Sequence, residues 1–330
     1  MVTAEQPRYR NRPVVTMQTM NRLTRAYHNA RVEEFDENSK LIFMSDCHRG
    51  DGSMADEFLK NKNIFVCALE YYHDNGFTYV EVGDGDEMWE YRKFKHIVKA
   101  NGIVFSRIKR FHDDNRFIML YGNHDRQKKD PEFVRANMHT KIDVATGEPQ
   151  DLFPGIQPCE ALLLRHRETG QEILTVHGHQ GDLMNDQSWK FNRWSLRWFW
   201  KYMHAFGVRS PSSPVSNIYK QHKVERNYTK WIRLNQTALI CGHTHREKFP
   251  RPDEVPYFNS GCCIFPSYIT GIEITHGQIQ LVGWRVEADS NRYLHIVRRV
   301  LCGPEPVERY HLKANASRSS AGGSASPSTS

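Results

Sequence analysis

Short apolar runs, each stopping at polar and acidic residues, recur down the first half of the chain. Residues 41–44 read Leu-Ile-Phe-Met and stop at Ser45-Asp46. Residues 77–82 are rich in β-formers and stop at Gly83-Asp84, and residues 117–121 stop at Gly122-Asn123. Runs of this length bounded by turn residues predict buried strands. Between the first two, residues 54–75 have helical spacing, with Phe58, Phe65, Leu69 and Tyr72 on one broad face and Gly76 as the stop. Residues 87–100 predict another helix. Strand, polar turn and helix in succession indicate a layered α/β domain whose loops gather at one sheet edge.

Further strands are predicted at 161–165, 172–176, 237–241, 268–275 and 278–286. Long helices do not separate them, so they are expected to form a second, more antiparallel sheet. Residues 1–35 are polar and basic and read as an arm with a short helix near 17–27. Residues 314–330, rich in Ser, Ala and Gly, predict a disordered tail. The main domain is thus expected at 36–313.

Residues 183–235 break the rhythm and read as a helical insertion. From 189 to 234 there are ten Lys or Arg against one acid, Glu225, and five of the seven tryptophans: Trp189, Trp194, Trp198, Trp200 and Trp231. Helices are predicted at 188–206 and 217–234. The basic aromatic mixture suits a cap over a substrate, docking on a membrane surface or an oligomer interface. Single-stranded nucleic acid is compatible with the composition, but no recognised nucleic-acid module accompanies it.

Composition narrows the class. The 330 residues are 39% hydrophobic and 25% charged, enough for a sizeable core. A formal charge of +7 favours anionic partners. No apolar stretch approaches membrane-spanning length, and the opening residues lack an apolar signal core, so a cytoplasmic protein is expected, with peripheral contact at the inner membrane face through 189–234. Seven cysteines include no CxxC pair, which excludes zinc-finger and thioredoxin readings.

Candidate chemistry sits where the strands end. Asp46-Cys47-His48 places two donors on one side of an extended segment. Asp84 follows the second strand, and a carboxylate can bridge two cations. Gly122-Asn123-His124-Asp125 offers an amide oxygen and an imidazole, and Asp125 is positioned in sequence to orient His124 and raise its pKa as a general-acid pair. His177-Gly178-His179 and Gly242-His243-Thr244-His245 supply further imidazoles. This oxygen and nitrogen set suits two divalent ions, Mn first, with Fe or Zn also compatible. Arg49, next to His48, is a candidate fork for a phosphoryl oxygen.

In order, SDCH at 45–48, GDGDE at 83–87, GNHD at 122–125, HGH at 177–179 and GHTH at 242–245 resemble the calcineurin-like metallophosphoesterase superfamily over about residues 38–286. The resemblance implies a four-layer α/β/β/α sandwich. It implies one ion held by Asp46, His48, Asp84 and His245, and a second by Asp84, Asn123, His177 and His243. Asn123 and His124 would also touch the phosphate. Within the superfamily the chain is nearest in look to the UDP-2,3-diacylglucosamine pyrophosphatase group. Gly83-Asp84 followed by Glu87 and Trp89, His177-Gly178 followed by Asp182, and the insertion before GHTH carry that likeness. It departs where that group commonly has Arg, since His124 stands there.

The expected function is hydrolysis of a phosphoester or diphosphate, by attack of metal-bound hydroxide on phosphorus with His124 assisting the departing oxygen. The substrate would be a phosphorylated small molecule or a lipid-linked one. The alternatives are a non-catalytic binding scaffold of the same fold, or a nuclease or protein phosphatase of the same superfamily.

Overall fold

The computed structural model describes residues 12–142, 146–181, 214–251 and 253–312. Helix α1 (Arg12–His28) and strand β1 (Arg31–Phe35) precede β2 (Lys40–Met44), α2 (Lys62–Asp74) and β3 (Thr78–Val82). Then come α3 (Phe94–Ala100), α4 (Gly102–Asp113), β4 (Phe117–Leu120), α5 (Pro131–Met138) and a small ribbon, β5 (Thr140–Ile142) with β6 (Pro149–Asp151). The remainder holds β7 (Ala161–His166), β8 (Glu172–Val176), α6 (Pro214–Asn235), β9 (Ala238–Cys241), β10 (Tyr257–Asn259), β11 (Tyr268–Thr275), β12 (Gln278–Ala288) and β13 (Leu294–Pro306).

Two sheets carry the fold. One has the order β13-β12-β11-β2-β3-β4 and the other β1-β7-β8-β9-β10. In the first, β2, β3 and β4 are parallel, with Ile42 opposite Tyr79 and Val80 opposite Ile118. In the second, β8, β9 and β10 are parallel.

Side-chain alternation builds four layers from these sheets. Leu41 and Phe43 of β2 enter the core between the sheets, where they meet Leu162 and Leu164 of β7 and Ala238 and Ile240 of β9. Ile42 and Met44 face the opposite way, onto α2 and α4, with Phe65, Leu69, Tyr72, Phe105 and Ile108. Leu163, Leu239 and Cys241 face outward from the second sheet onto α1 and α6, meeting Leu23, Tyr228 and Trp231. The result is the expected α/β/β/α sandwich.

Three expectations are corrected. The late strands do not all form the second sheet. β11 lies antiparallel on the free edge of β2, with Ile272 opposite Phe43, and β12 and β13 extend that same sheet. Periodicity announces a strand but not the edge it joins.

Secondly, residues 17–35 are part of the packed body and not an arm. Leu23 and Ala26 are buried on the second sheet, and β1 pairs in parallel with β7. Burying a leucine of this kind contributes about 1.5–3 kcal/mol.

Thirdly, 87–93 are not helical. The Glu87 carboxylate accepts from the amides of Trp89 (3.0 Å) and Glu90 (3.3 Å), and Glu87 N donates to Arg49 O at 3.0 Å. These local bonds compete with a helix, which begins only at Phe94. Residues 182–213 and 313–330 lie outside the described residues. The first part of the predicted insertion, with Asp182 and four of its tryptophans, and the predicted tail therefore do too. No helix among the described residues is long and apolar enough to cross a membrane.

Candidate functional site

The parallel strands deliver their following loops to one place. Asp46 and His48 follow β2, Asp84 follows β3, Asn123 and His124 follow β4, His177 follows β8, and His243 and His245 follow β9. The first two loops are stitched along their backbones: Asp46 N donates to Gly83 O (3.1 Å), His48 N to Asp84 O (2.9 Å) and Arg49 N to Gly85 O (3.0 Å). Asp46, His48, Asp84, His243 and His245 all have left-handed backbones, φ between 47° and 68°. Each costs energy in a non-glycine residue, so the surrounding bonds must hold the strain. Gly122 has no Cβ for a direct reason: one would fall on Asp84 Oδ1.

The donors meet in two adjoining groups. Asp46, His48 and His245 form one, and Asp84, His177 and His243 the other. His245 Nε2 is 3.2 Å from Asp46 Oδ1, and His48 Nε2 is 3.3 Å from His245 Nε2. Asp84 Oδ2 lies between the groups, 3.1 Å from His177 Nε2 and 3.9 Å from His48 Nε2. Donors bonded to one ion at about 2.1 Å stand roughly 3–3.5 Å apart, which these spacings match.

Outer contacts set which atoms remain to bind. Asp46 Oδ2 accepts from His243 N at 2.8 Å, and Asp84 Oδ1 accepts from His124 N at 2.8 Å. His177 Nδ1 donates to Val82 O (2.9 Å), and His48 Nδ1 to Glu87 Oε2 (2.9 Å). Each ring is thus fixed in the tautomer that offers Nε2. Asp46 Oδ1, Asn123 Oδ1 and His177 Nε2 are buried and make no hydrogen bond among the described residues. Buried polar atoms are ordinarily satisfied, so three such atoms at predicted ligand positions fit a pair of divalent cations.

Electrostatics agree. Burial would raise the pKa of Asp46 and Asp84, but the His177 ring beside them holds both well below the usual carboxylate range. Burial would lower the His177 pKa, but Asp84 and Asp46 lift it to about 9. In this pocket the ring charge balances carboxylate charge, and a divalent ion would displace protons to take its place.

Two predicted roles are corrected. Asp125 does not orient His124. It accepts from Gly122 N (2.7 Å), Gly85 N (3.1 Å) and Lys128 Nζ (2.7 Å), so it straps the loops from beneath. The partner of His124 is Glu87, whose Oε2 is 2.6 Å from His124 Nδ1, while Trp89 stacks on the ring at 3.9 Å between centroids. The Trp89 indole also donates to Asn123 O at 2.7 Å. The sequence marks Glu87 and Trp89 as part of the motif after Asp84, but the pairing of Glu87 with His124 needs a turn that sequence spacing does not reveal.

Arg49 is fully buried and cannot fork a substrate phosphate. Its guanidinium donates to Glu81 at 2.7 and 2.9 Å and to Asp86 at 2.8 Å. Lys128 joins them, 2.7 Å from Asp86. Among the described tryptophans of the insertion, Trp231 is also core: it is buried against α1 and its indole donates to Thr24 Oγ1 at 3.1 Å. His179 is buried, with its ring 5.7 Å from that of His177, and belongs to neither donor group.

No protein-family model matches the chain, and no curated protein matches it. Two solved structures of Vps29 from Chaetomium thermophilum are similar to it. One, of the protein named alone, is 9% identical, spans 82% of this chain and 100% of its own, and gives a TM-score of 0.35. The other, complexed with the RaPID-derived cyclic peptide RT-D3, is 10% identical, spans 82% of this chain and 98% of its own, and gives 0.33. The functional reading therefore rests on the site's own residues.

Proposed function

We propose that this chain is a dinuclear-metal phosphoesterase of the calcineurin-like superfamily. The observation that carries the reading is Asp84 Oδ2, placed between two groups of donors, with Asp46 Oδ1, Asn123 Oδ1 and His177 Nε2 buried there and making no hydrogen bond among the described residues. Asp46, His48, Asp84 and His245 would hold one ion, and Asp84, Asn123, His177 and His243 the other. When bound, such a pair polarises phosphoryl oxygens and lowers the pKa of a water. Mn is the expected metal on the mixed oxygen and nitrogen donor set.

The chain's own residues supply positioning and a proton. With Nδ1 held by Glu87, Nε2 of His124 is the nitrogen left to hydrogen-bond a phosphoryl or departing oxygen. Trp89 fixes the plane of that ring. The substrate class is a phosphorylated small molecule. A lipid-linked diphosphate is the narrower form, supported by the sequence likeness in which Glu87 and Trp89 stand; both touch His124.

The second reading is a binding scaffold of the same fold. On its side is the acidic wall of the cleft beside His48 and His245, lined by Asp56, Glu57, Glu87 and Glu90. Without ions these carboxylates oppose a phosphate dianion. Metal content of the Mn-supplemented full chain, with hydrolysis of mono- and bis-p-nitrophenyl phosphate, separates the two. The hydrolase reading expects close to two ions per chain and a rate that falls at least about a hundredfold in Asp84→Asn. Fewer than about one ion per chain, or equal rates in both proteins, favours the scaffold.

A further inference from the structure

A second cavity lies apart from the metal donors, at the β4 edge of the six-stranded sheet. It holds about 430 Å³ between α5 and residues 155–158. The chain passes from β4, the edge strand, through the turn Arg126–Lys129 into α5. None of the candidate metal donors lines the cavity. Its size falls within the usual range of small-molecule sites, about 300–1,000 Å³.

Two kinds of wall meet there. Lys129, Arg135 and His139 supply nitrogen donors, and Val134, Ile156 and Pro158 supply apolar surface. No carboxylate lines the cavity. The acid nearest in sequence, Asp130, is committed to capping α5, where it accepts from Glu132 N at 2.9 Å. Lys128 also reaches the lining, but its charge is spent beneath the metal loops, on Asp86 and Asp125 at 2.7 Å each. Lys129, Arg135 and His139, by contrast, form no ion pair and no side-chain hydrogen bond among the described residues.

Helix stability does not account for the three together. Arg135 and His139 are four residues apart, so they stand on one stripe of α5 and its C-cap. Arginine and protonated histidine at that spacing repel when no acid intervenes. The helix dipole favours cations at the C-terminal end, where these two stand, but disfavours one before the N-terminus, where Lys129 stands. An anion among them would satisfy all three.

We infer that this cavity binds a phosphomonoester, with its phosphate among Lys129, Arg135 and His139 and its organic part against Val134, Ile156 and Pro158. Three separate donor groups match the three terminal oxygens of a phosphomonoester, where a carboxylate offers two. The guanidinium adds a planar fork for two of those oxygens. The apolar wall calls for a ring or chain beside the phosphate. The inference does not rest on the hydrolase reading, since neither the candidate metal donors nor His124 lines the cavity.

Calorimetric titration of the metal-free full chain with phenyl phosphate tests it. One equivalent per chain is expected. Affinity should fall about ten- to a hundredfold in Arg135→Gln/His139→Gln, because charge-assisted bonds to phosphate oxygens are lost. Inorganic phosphate should bind more weakly than phenyl phosphate for want of apolar contact, and benzoate more weakly for want of a third oxygen. Arg285→Gln/Arg299→Gln removes charge from β12 and β13, toward the opposite edge of the sheet, and should bind as the wild type does. Thermal melts check folding, and the single variant Arg135→Gln, at an exposed position, carries the test if the double variant does not fold.

No phenyl phosphate binding, binding unaltered in the α5 variants, or an equal loss in the control variant overturns the site. Equal affinity for inorganic phosphate, or tighter binding of benzoate, overturns the class of ligand. The hydrolase reading fails independently, on absent Mn-dependent turnover of p-nitrophenyl phosphate by the wild type.

Discussion

Glu87 Oε2 accepts from Nδ1 of both His48, at 2.9 Å, and His124, at 2.6 Å. One carboxylate oxygen therefore sets the tautomer of a candidate metal ligand and of the candidate proton donor together. Burial would raise the Glu87 pKa, but His124 and then His48 bring it down to about 2, so the group stays ionised and can serve both rings.

Glu87→Gln removes the charge while keeping the shape. Metal affinity should fall about ten- to a hundredfold, as for other partners that orient a metal-ligating histidine. Competitive titration with a metal-sensitive dye measures it. Wild-type affinity in the variant would show that the His48 orientation is held by other contacts.

Arg49 should prove a folding residue. Arg49→Leu leaves Glu81 and Asp86 buried without their main cation, at a cost of about 3–5 kcal/mol. Urea denaturation reads this as a lower midpoint. A variant that keeps its midpoint and loses only substrate affinity would restore the phosphate-binding role read from the sequence.

Gly122→Ala places a methyl group against the Asp84 carboxylate. Overpacking of this kind costs about 1–3 kcal/mol. The chain should fold, with a lower melting temperature, and bind less metal than the wild type. Full metal loading in a folded Gly122→Ala protein would mean that Asp84 does not have to stand where it does.

Acid should weaken the network under the site. Burial pushes the Glu81 pKa up, but Arg49 and Lys128 more than reverse this, so its folded pKa lies below the unfolded one. The sign follows: the stabilisation is complete above the unfolded value and is lost as pH falls through the folded one. Stability of the wild type should therefore decline on acidification below the ordinary glutamate range, and Glu81→Gln should flatten that part of the curve. Parallel curves for both proteins would remove Glu81 from the account.

The strands that carry the metal donors were legible because each is a short apolar run cut off by Ser, Gly or His. Phe58, Phe65, Leu69 and Tyr72 were legible as one buried face because helical spacing repeats through them. β13 was not, because most of its residues are exposed and no alternation marks it; pairing with β12 holds it. α4 passed unread, although Val104, Phe105, Ile108 and Phe111 form its buried stripe. Trp231 is a different failure. Composition placed it among aromatics of an insertion, whereas contact with α1 makes it core.

Local sequence thus carried the donor identities, the strand ends that present them and the layered class of the fold, since each depends on residues within a few positions of one another. Pairing across long separations decided the rest: which edge β11 joins, that Glu87 rather than Asp125 serves His124, and that Arg49 is neutralised beneath the loops. A charge in a linear sequence has no address, and its pKa, partner and exposure exist only once burial and neighbours are set.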